Sequence, residues 1–324
     1  MGLGDDRLKI DIDDLTIADD LDGGAASSDT LEFTTAGTIA DADFTNVTEF
    51  ETLVLANGTN NVTLDDEAYD SGNGIVSVVS STGADTITAY SDHLQRADLT
   101  INLVSDSEVD TIILRNDGFA TDAGALNQSG GLSNIGDDTS RTYADVEYDT
   151  SGQNYAVEIT GFVGGADGDR LDIQFVNTTA DTSSGTFVNS YALGTSNTLV
   201  SSASSGATIE IAPAYNLNTG WDLEDVASAL SNAGDGDALL GLDDGYYTII
   251  IYENTSGVDA ANPADAHLFA IRVDDGDGFD LEYAAGEVEG VGDTFDNEND
   301  LDSLEYIGVL RDVGAEVLDG SNII

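Results

Sequence analysis

The residues best suited to chemistry in this chain are carboxylates set beside glycines. Gly2-Leu3-Gly4-Asp5-Asp6-Arg7-Leu8-Lys9 places two glycines and an aspartate ahead of an apolar residue, the G-x-G-x-D-x-U-x core of a calcium-binding turn. Glycine lets the backbone bend tightly and present its carbonyls. Asp6 adds a carboxylate, and Leu8 starts the following short strand. Oxygen donors of this kind suit Ca2+. A degenerate copy runs Gly164-Gly165-Ala166-Asp167-Gly168-Asp169-Arg170-Leu171-Asp172, with weaker echoes at Gly83-Ala84-Asp85-Thr86-Ile87 and Gly234-Asp235-Gly236-Asp237-Ala238-Leu239. Further on, Asp274, Asp275, Asp277, Asp280 and Glu282 crowd five carboxylates into nine residues. Such a cluster repels itself unless it holds a cation; the alternative is a solvated acidic hairpin tip. It lacks the EF-hand alternation. With Asp110, from the strand-start phrase described below, the candidate metal ligands are Gly2, Gly4, Asp6, Asp85, Asp110, Asp167, Asp169, Asp172, Asp274, Asp275, Asp277, Asp280 and Glu282.

Other chemistries find little support. His93 and His267 have no His or Cys neighbour at metal-ligand spacing, which argues against zinc. There is no G-x-S-x-G elbow and no Gly-Lys-Ser/Thr phosphate loop. Paired carboxylates for glycoside hydrolysis stay open in a chain this acidic, but a sugar site wants aromatic platforms and Trp221 is the single tryptophan. The expectation is that the chain is not an enzyme. N-x-[ST] sequons occur at Asn46, Asn57, Asn61, Asn127, Asn177 and Asn254, a number that chance supplies readily in an Asn/Thr/Ser-rich chain.

The whole composition carries the same acidity. Asp and Glu number 63 against 8 Lys and Arg, a formal net charge of −55. A compact fold with that charge repels itself and needs cations around it. A surface adapted to strong salt is the competing explanation of the charge. The imbalance argues against nucleic acid and anionic membrane as direct partners unless metal ions bridge. Cysteine is absent, so disulfides supply no stability. No apolar run approaches the ~18 residues of a membrane span. The first residues have neither a basic start nor an apolar segment, so export would not use an N-terminal signal peptide.

The elements that position these carboxylates repeat. Apolar cores at Leu31–Phe33, Leu53–Leu55, Val62–Leu64, Ile75–Val79, Thr86–Thr88, Leu99–Leu103 and Thr111–Leu114 alternate every second residue as strands do. Every second core recurs at about 23 residues, giving one series Leu31, Leu53, Val76, Leu99 and another Leu64, Ile87, Ile112. An acid, then Thr, then an apolar residue opens several of them: Asp29-Thr30-Leu31, Glu51-Thr52-Leu53, Asp85-Thr86-Ile87 and Asp110-Thr111-Ile112. A recurring phrase means a recurring environment. The expected fold is all-β: a parallel β-solenoid with two strands per coil over residues 1–115, a loop-rich junction with further strands over 116–160, and a smaller β-rich C-terminal domain over 161–324. An antiparallel sandwich would give similar spacing. In the last region Gly206–Ile211, Tyr246–Tyr252 and His267–Val273 read as strands, the last two as a hairpin with a long connection. Asp222–Leu230 reads as one short helix.

The Gly/Asp turns and the alternating segments, such as Ile39–Leu53, resemble the RTX (repeats-in-toxin) family of type I-secreted, calcium-binding bacterial proteins. The stretches Asp265–Gly278 and Ser303–Leu310, with the terminal Asn322-Ile323-Ile324, are similar to the uncleaved C-terminal export regions of that family. An uninterrupted array of perfect nonapeptides is missing. The resemblance implies an extracellular, calcium-stabilised structural protein of the cell surface that assembles with copies of itself into a layer, filament or adhesin stalk. Cell-surface polysaccharide is a second candidate partner. The alternatives are a C-terminal binding or secretion module of a larger adhesin and an acidic polysaccharide-active enzyme.

Overall fold

The structure is a computed structural model and describes residues 2–25, 28–70, 73–90, 99–115, 157–174, 187–189, 208–210, 245–252, 264–273, 301–313, 318 and 321–323. Among these the chain is all-β, with two 3-10 turns, Ile12–Asp14 and Asp41–Phe44, as its helical elements. The first strands are β1 (Arg7–Ile10), β2 (Leu21–Asp22), β3 (Thr30–Phe33), β4 (Thr38–Ile39), β5 (Val47–Thr48), β6 (Thr52–Val54) and β7 (Asn61–Leu64). There follow β8 (Tyr69–Asp70), β9 (Asn73–Gly74), β10 (Ser77–Val79), β11 (Thr86–Tyr90), β12 (Leu99–Asn102), β13 (Thr111–Arg115), β14 (Val157–Thr160) and β15 (Arg170–Gln174). The remainder are β16 (Phe187–Asn189), β17 (Thr208–Glu210), β18 (Gly245–Tyr252), β19 (Ala264–Val273) and β20 (Leu301–Val313).

From β3 to β15 the long strands fall alternately into two sheets. One runs β1-β3-β6-β10-β12-β14 and continues through β20-β19-β18-β17-β16; the other runs β4-β7-β11-β13-β15. Every pairing from β1 to β14 in the first sheet, and from β4 to β15 in the second, is parallel. This removes the antiparallel sandwich for these strands. Both sheets take up a strand again after residue 115, because β14 pairs with β12 and β15 with β13. Antiparallel pairing enters the first sheet only at β18-β19-β20. The expected hairpin of Tyr246–Tyr252 with His267–Val273 is the β18–β19 pair. The expected helix at 222–230 lies outside the described residues.

Alternation explains the core. Inward residues stack on their equivalents: Leu31 on Leu53, Val78 and Ile101 in the first sheet, and Val62 on Ile87, Ile112 and Leu171 in the second. All are fully buried and belong to one apolar cluster shared by the two sheets. Burying each such side chain stabilises the fold by about 1.5–3 kcal/mol. The register corrects part of the expected series. Leu53 pairs with Val78 rather than Val76, the next partner is Ile101 rather than Leu99, and Leu64 pairs with Ala89 rather than Ile87. Each error is two residues. A shift of two keeps a side chain on the same face, so alternation alone could not detect it. Turns stack as strands do: a Cβ on Gly83 would lie 2.4 Å from the Gly58 carbonyl oxygen, so only glycine fits there.

Candidate functional site

The recurring acid-Thr-apolar phrase has a definite structural meaning. Where the chain enters a strand, the acid reaches one repeat back and accepts a hydrogen bond from the backbone N–H of its equivalent. In the first sheet Asp6 N–H donates to Asp29 Oδ1 at 2.6 Å, and Asp29 N–H to Glu51 Oε2 at 2.7 Å. In the second sheet Asn60 N–H donates to Asp85 Oδ1 at 3.0 Å, Asp85 N–H to Asp110 Oδ1 at 2.9 Å, and Asp110 N–H to Asp169 Oδ1 at 2.9 Å. The other carboxylate oxygen often turns back to close the bend just upstream. Asp6 Oδ2 accepts from Gly2 N–H, Asp85 Oδ2 from Ser81 N–H, and Asp169 Oδ2 from Val163 N–H. A carboxylate suits the position because it only accepts, and each bend offers donors.

Amides flank the second column. Asn60 Oδ1 accepts from Gly37 N–H, while its Nδ2 donates to Ala56 O, Gly58 O and Asp85 Oδ1. Beyond Asp169, Asn322 Oδ1 accepts from Gly165 N–H, and its Nδ2 donates to Gly165 O and Asp169 O. Asn322 also covers the edge of β15: its carbonyl accepts from Leu171 N–H, and Ile323 bridges to Leu171.

Three like charges stacked out of water interact strongly. Burial pushes the Asp110 carboxyl up to about 7; the Asp85 N–H opposes this, and the charges of Asp85, Asp169 and Asp106 add to it. Asp110 is 2% exposed. Burial also raises Asp169, against the N–H groups of Val163 and Asp110. Asp110 is therefore partly protonated near neutrality.

The thirteen candidate ligands divide accordingly. Asp85, Asp110 and Asp169 are buried and bind backbone N–H groups, which explains their recurrence without a metal ion. Gly2 and Gly4 are exposed, and Asp6 closes their turn through Gly2 N–H. Asp167 is exposed, and Asp172 stands half-buried on β15 in register with Ile113. Asp274, Asp275, Asp277, Asp280 and Glu282 lie outside the described residues.

Among the described residues one group brings three carboxylates together, and it holds none of those candidates: ligand oxygens of Asp41, Asp65 and Asp66 lie within 4.8 Å of one another. Asp41 sits on the second 3-10 turn; Asp65 and Asp66 follow β7 one repeat later. Asp41 Oδ1 accepts from the N–H groups of Asp65 and Ala68, and its Oδ2 from Glu67 N–H at 3.3 Å. Burial raises its carboxyl while these N–H groups lower it, and the Asp66 charge adds to the rise. The donor chemistry fits a hard cation; Asp66 is the exposed member. The repeat separation of Asp41 and Asp65 was the available sequence signal, but it is hidden among 63 acids.

The second half contains a buried carboxylate–phenol pair. The Tyr252 hydroxyl donates to Glu210, and both residues are fully buried. A pair closed off from solvent cannot meet a substrate.

Comparison with known proteins finds no matching family model, no similar curated protein and no similar solved structure. The functional reading therefore rests on the residues themselves.

Proposed function

We propose that the chain is an extracellular, calcium-stabilised structural protein, built on a parallel β-solenoid with two strands per coil, that assembles with its own copies into a layer, filament or adhesin stalk. The observation that carries this reading is the in-register stack. Strands recur with their apolar residues in columns, and an acid column locks successive repeats at 22 to 25 residue intervals. Such an architecture is a spacer or surface element whose repeats contact only their neighbours.

Calcium enters at the surface acids. The Asp41, Asp65 and Asp66 group is the described location where its ligand chemistry fits, and an ion there ties one repeat to the next. In low calcium the uncompensated charge favours an expanded chain, which suits export. In millimolar calcium, ion binding becomes folding free energy.

The test is a calcium titration followed by circular dichroism, melting and light scattering, with a chelator control. The expected result is a calcium-dependent rise in melting temperature together with self-association. A protein whose fold, melting point and mass ignore both calcium and chelator overturns the proposal.

A further inference from the structure

The first sheet ends, among the described residues, at β1, which pairs on one side only, with β3. Its inward residues Leu8 and Ile10 are half-buried, whereas their column partners Leu31 and Phe33 are buried. The apolar column thus ends there with part of its surface still accessible. On the outward face of the same strand stand Arg7 and Lys9, with side chains 53% and 56% exposed, both ion-paired to Glu32 of β3, whose own side chain is 18% exposed. The chain has 8 Lys and Arg in total. This edge concentrates two of them beside a single acid, with Asp5 and Asp6 before the strand and Asp11 after it.

Charges on an edge strand usually deter pairing with another chain, and lysine is a common guard. In a chain of net charge −55 the sign reverses that logic. Acids would repel any approaching copy, whereas two exposed cations attract one, since nearly every surface a copy can offer is acidic. The same cations still disfavour two β1 edges meeting each other, so the contact they permit is head-to-tail, the kind that extends into filaments when it does not close.

We propose that the β1 edge is the assembly surface of the chain, and that it receives an acid-bearing segment of a second copy beside Arg7 and Lys9 while covering Leu8 and Ile10. This rests on the self-assembly reading above and assigns it a location.

Lys9 is the single lysine, which makes the test specific. Equal amounts of unlabelled and 15N-labelled protein are mixed, assembled in millimolar calcium and treated with a carbodiimide that joins amines to adjacent carboxylates. Mass spectrometry should find Lys9 of one copy joined to an Asp or Glu of another. The double variant Arg7→Glu with Lys9→Glu should raise the concentration for half-assembly by about tenfold or more, with higher salt weakening wild-type assembly in the same direction. Arg7→Lys with Lys9→Arg keeps the charge and should assemble as wild type does, which separates charge from folding defects. Circular dichroism verifies that each variant folds.

Three results overturn the inference: crosslinks confined to Lys9 and Glu32 of one copy, unchanged assembly on charge reversal, or stronger assembly in Arg7→Gln with Lys9→Gln, the signature of a guard. In all three wild-type assembly survives, and the broader reading with it. A wild-type chain that stays monomeric in every calcium concentration overturns both.

Discussion

Replacing Asp110 by Asn removes a charge from the middle of the buried column and leaves its geometry in place. Asp110 Oδ1 accepts from Asp85 N–H, and its Oδ2 accepts from the Ser80 hydroxyl at 3.4 Å. An amide oxygen can keep the first bond, as Asn60 does two positions along the same column. The Asp110 carboxyl is raised from 3.8 to about 7. Each unit is worth about 1.4 kcal/mol, so ionising it in the folded state costs at most about 4 kcal/mol. The direction follows from linkage. The folded state holds this proton more tightly than the unfolded state, so its stabilising effect is complete below pH 3.8, declines as pH rises, and is gone above about 7. The Asn variant has no such proton to lose.

Denaturant unfolding of both proteins from pH 4 to pH 8, at constant high ionic strength, should show Asp110→Asn near wild type at the acid end. At pH 8 it should be more stable by between about 1 and about 4 kcal/mol. The difference between the proteins is the readout, because rising pH also increases the repulsion of the whole chain. Asp110→Ala should be less stable than Asp110→Asn by about 1–3 kcal/mol at every pH, because it leaves the buried Asp85 N–H without its acceptor. A wild-type–Asn difference that ignores pH, or an Asn variant less stable at pH 8, would refute the carboxylate ladder as drawn.

Two further variants probe the stack elsewhere. Asn322→Ala removes bonds to Gly165 and Asp169 at a fully buried position; a loss of about 2–3 kcal/mol and faster hydrogen exchange at the Leu171 amide are expected. Gly83→Ala forces a methyl group against the Gly58 carbonyl, 2.4 Å away, and should destabilise by about 1–3 kcal/mol on thermal melting, whereas Gly4→Ala, with no atom within 4 Å of the added carbon, should spare the packing and strain only the backbone.

The strands were legible because inward and outward residues alternate, and the parallel stack because Asp29-Thr30-Leu31 and Glu51-Thr52-Leu53 repeat one environment. Register was less legible. Between β6 and β10 the chain inserts the small β8–β9 hairpin, which moves the paired residue to Val78, and nothing in the alternation counts such insertions. The hydrogen bonding of the acids to the preceding repeat was not legible. An aspartate that ligates calcium at a glycine turn and one that accepts backbone N–H bonds there need the same neighbours: small residues, a tight bend and an apolar residue entering a strand. The partners distinguish the two, and those lie in the preceding repeat, 22 to 25 residues away for Asp29, Glu51, Asp85 and Asp110 and 59 for Asp169. Asn60 was passed over for the related reason that an amide does not look like a ligand, although its place in the column is the same.

This division gives the acidity two separate functions. Asp29, Asp85, Asp110 and Asp169, at strand entries, are buried with oxygens directed at N–H donors. Acids on the turns, such as Asp66, face solvent, and the proposed calcium would bind there. On the proposed calcium reading, calcium and pH act on different carboxylates. Acidification to about pH 6 relieves Asp110, while the proposed calcium would compensate the exposed acids and leave the ladder unchanged. Their effects on stability should add, as they do for sites that share no groups. If calcium instead abolished the pH dependence between 5 and 8, the buried column itself would have to be binding the metal.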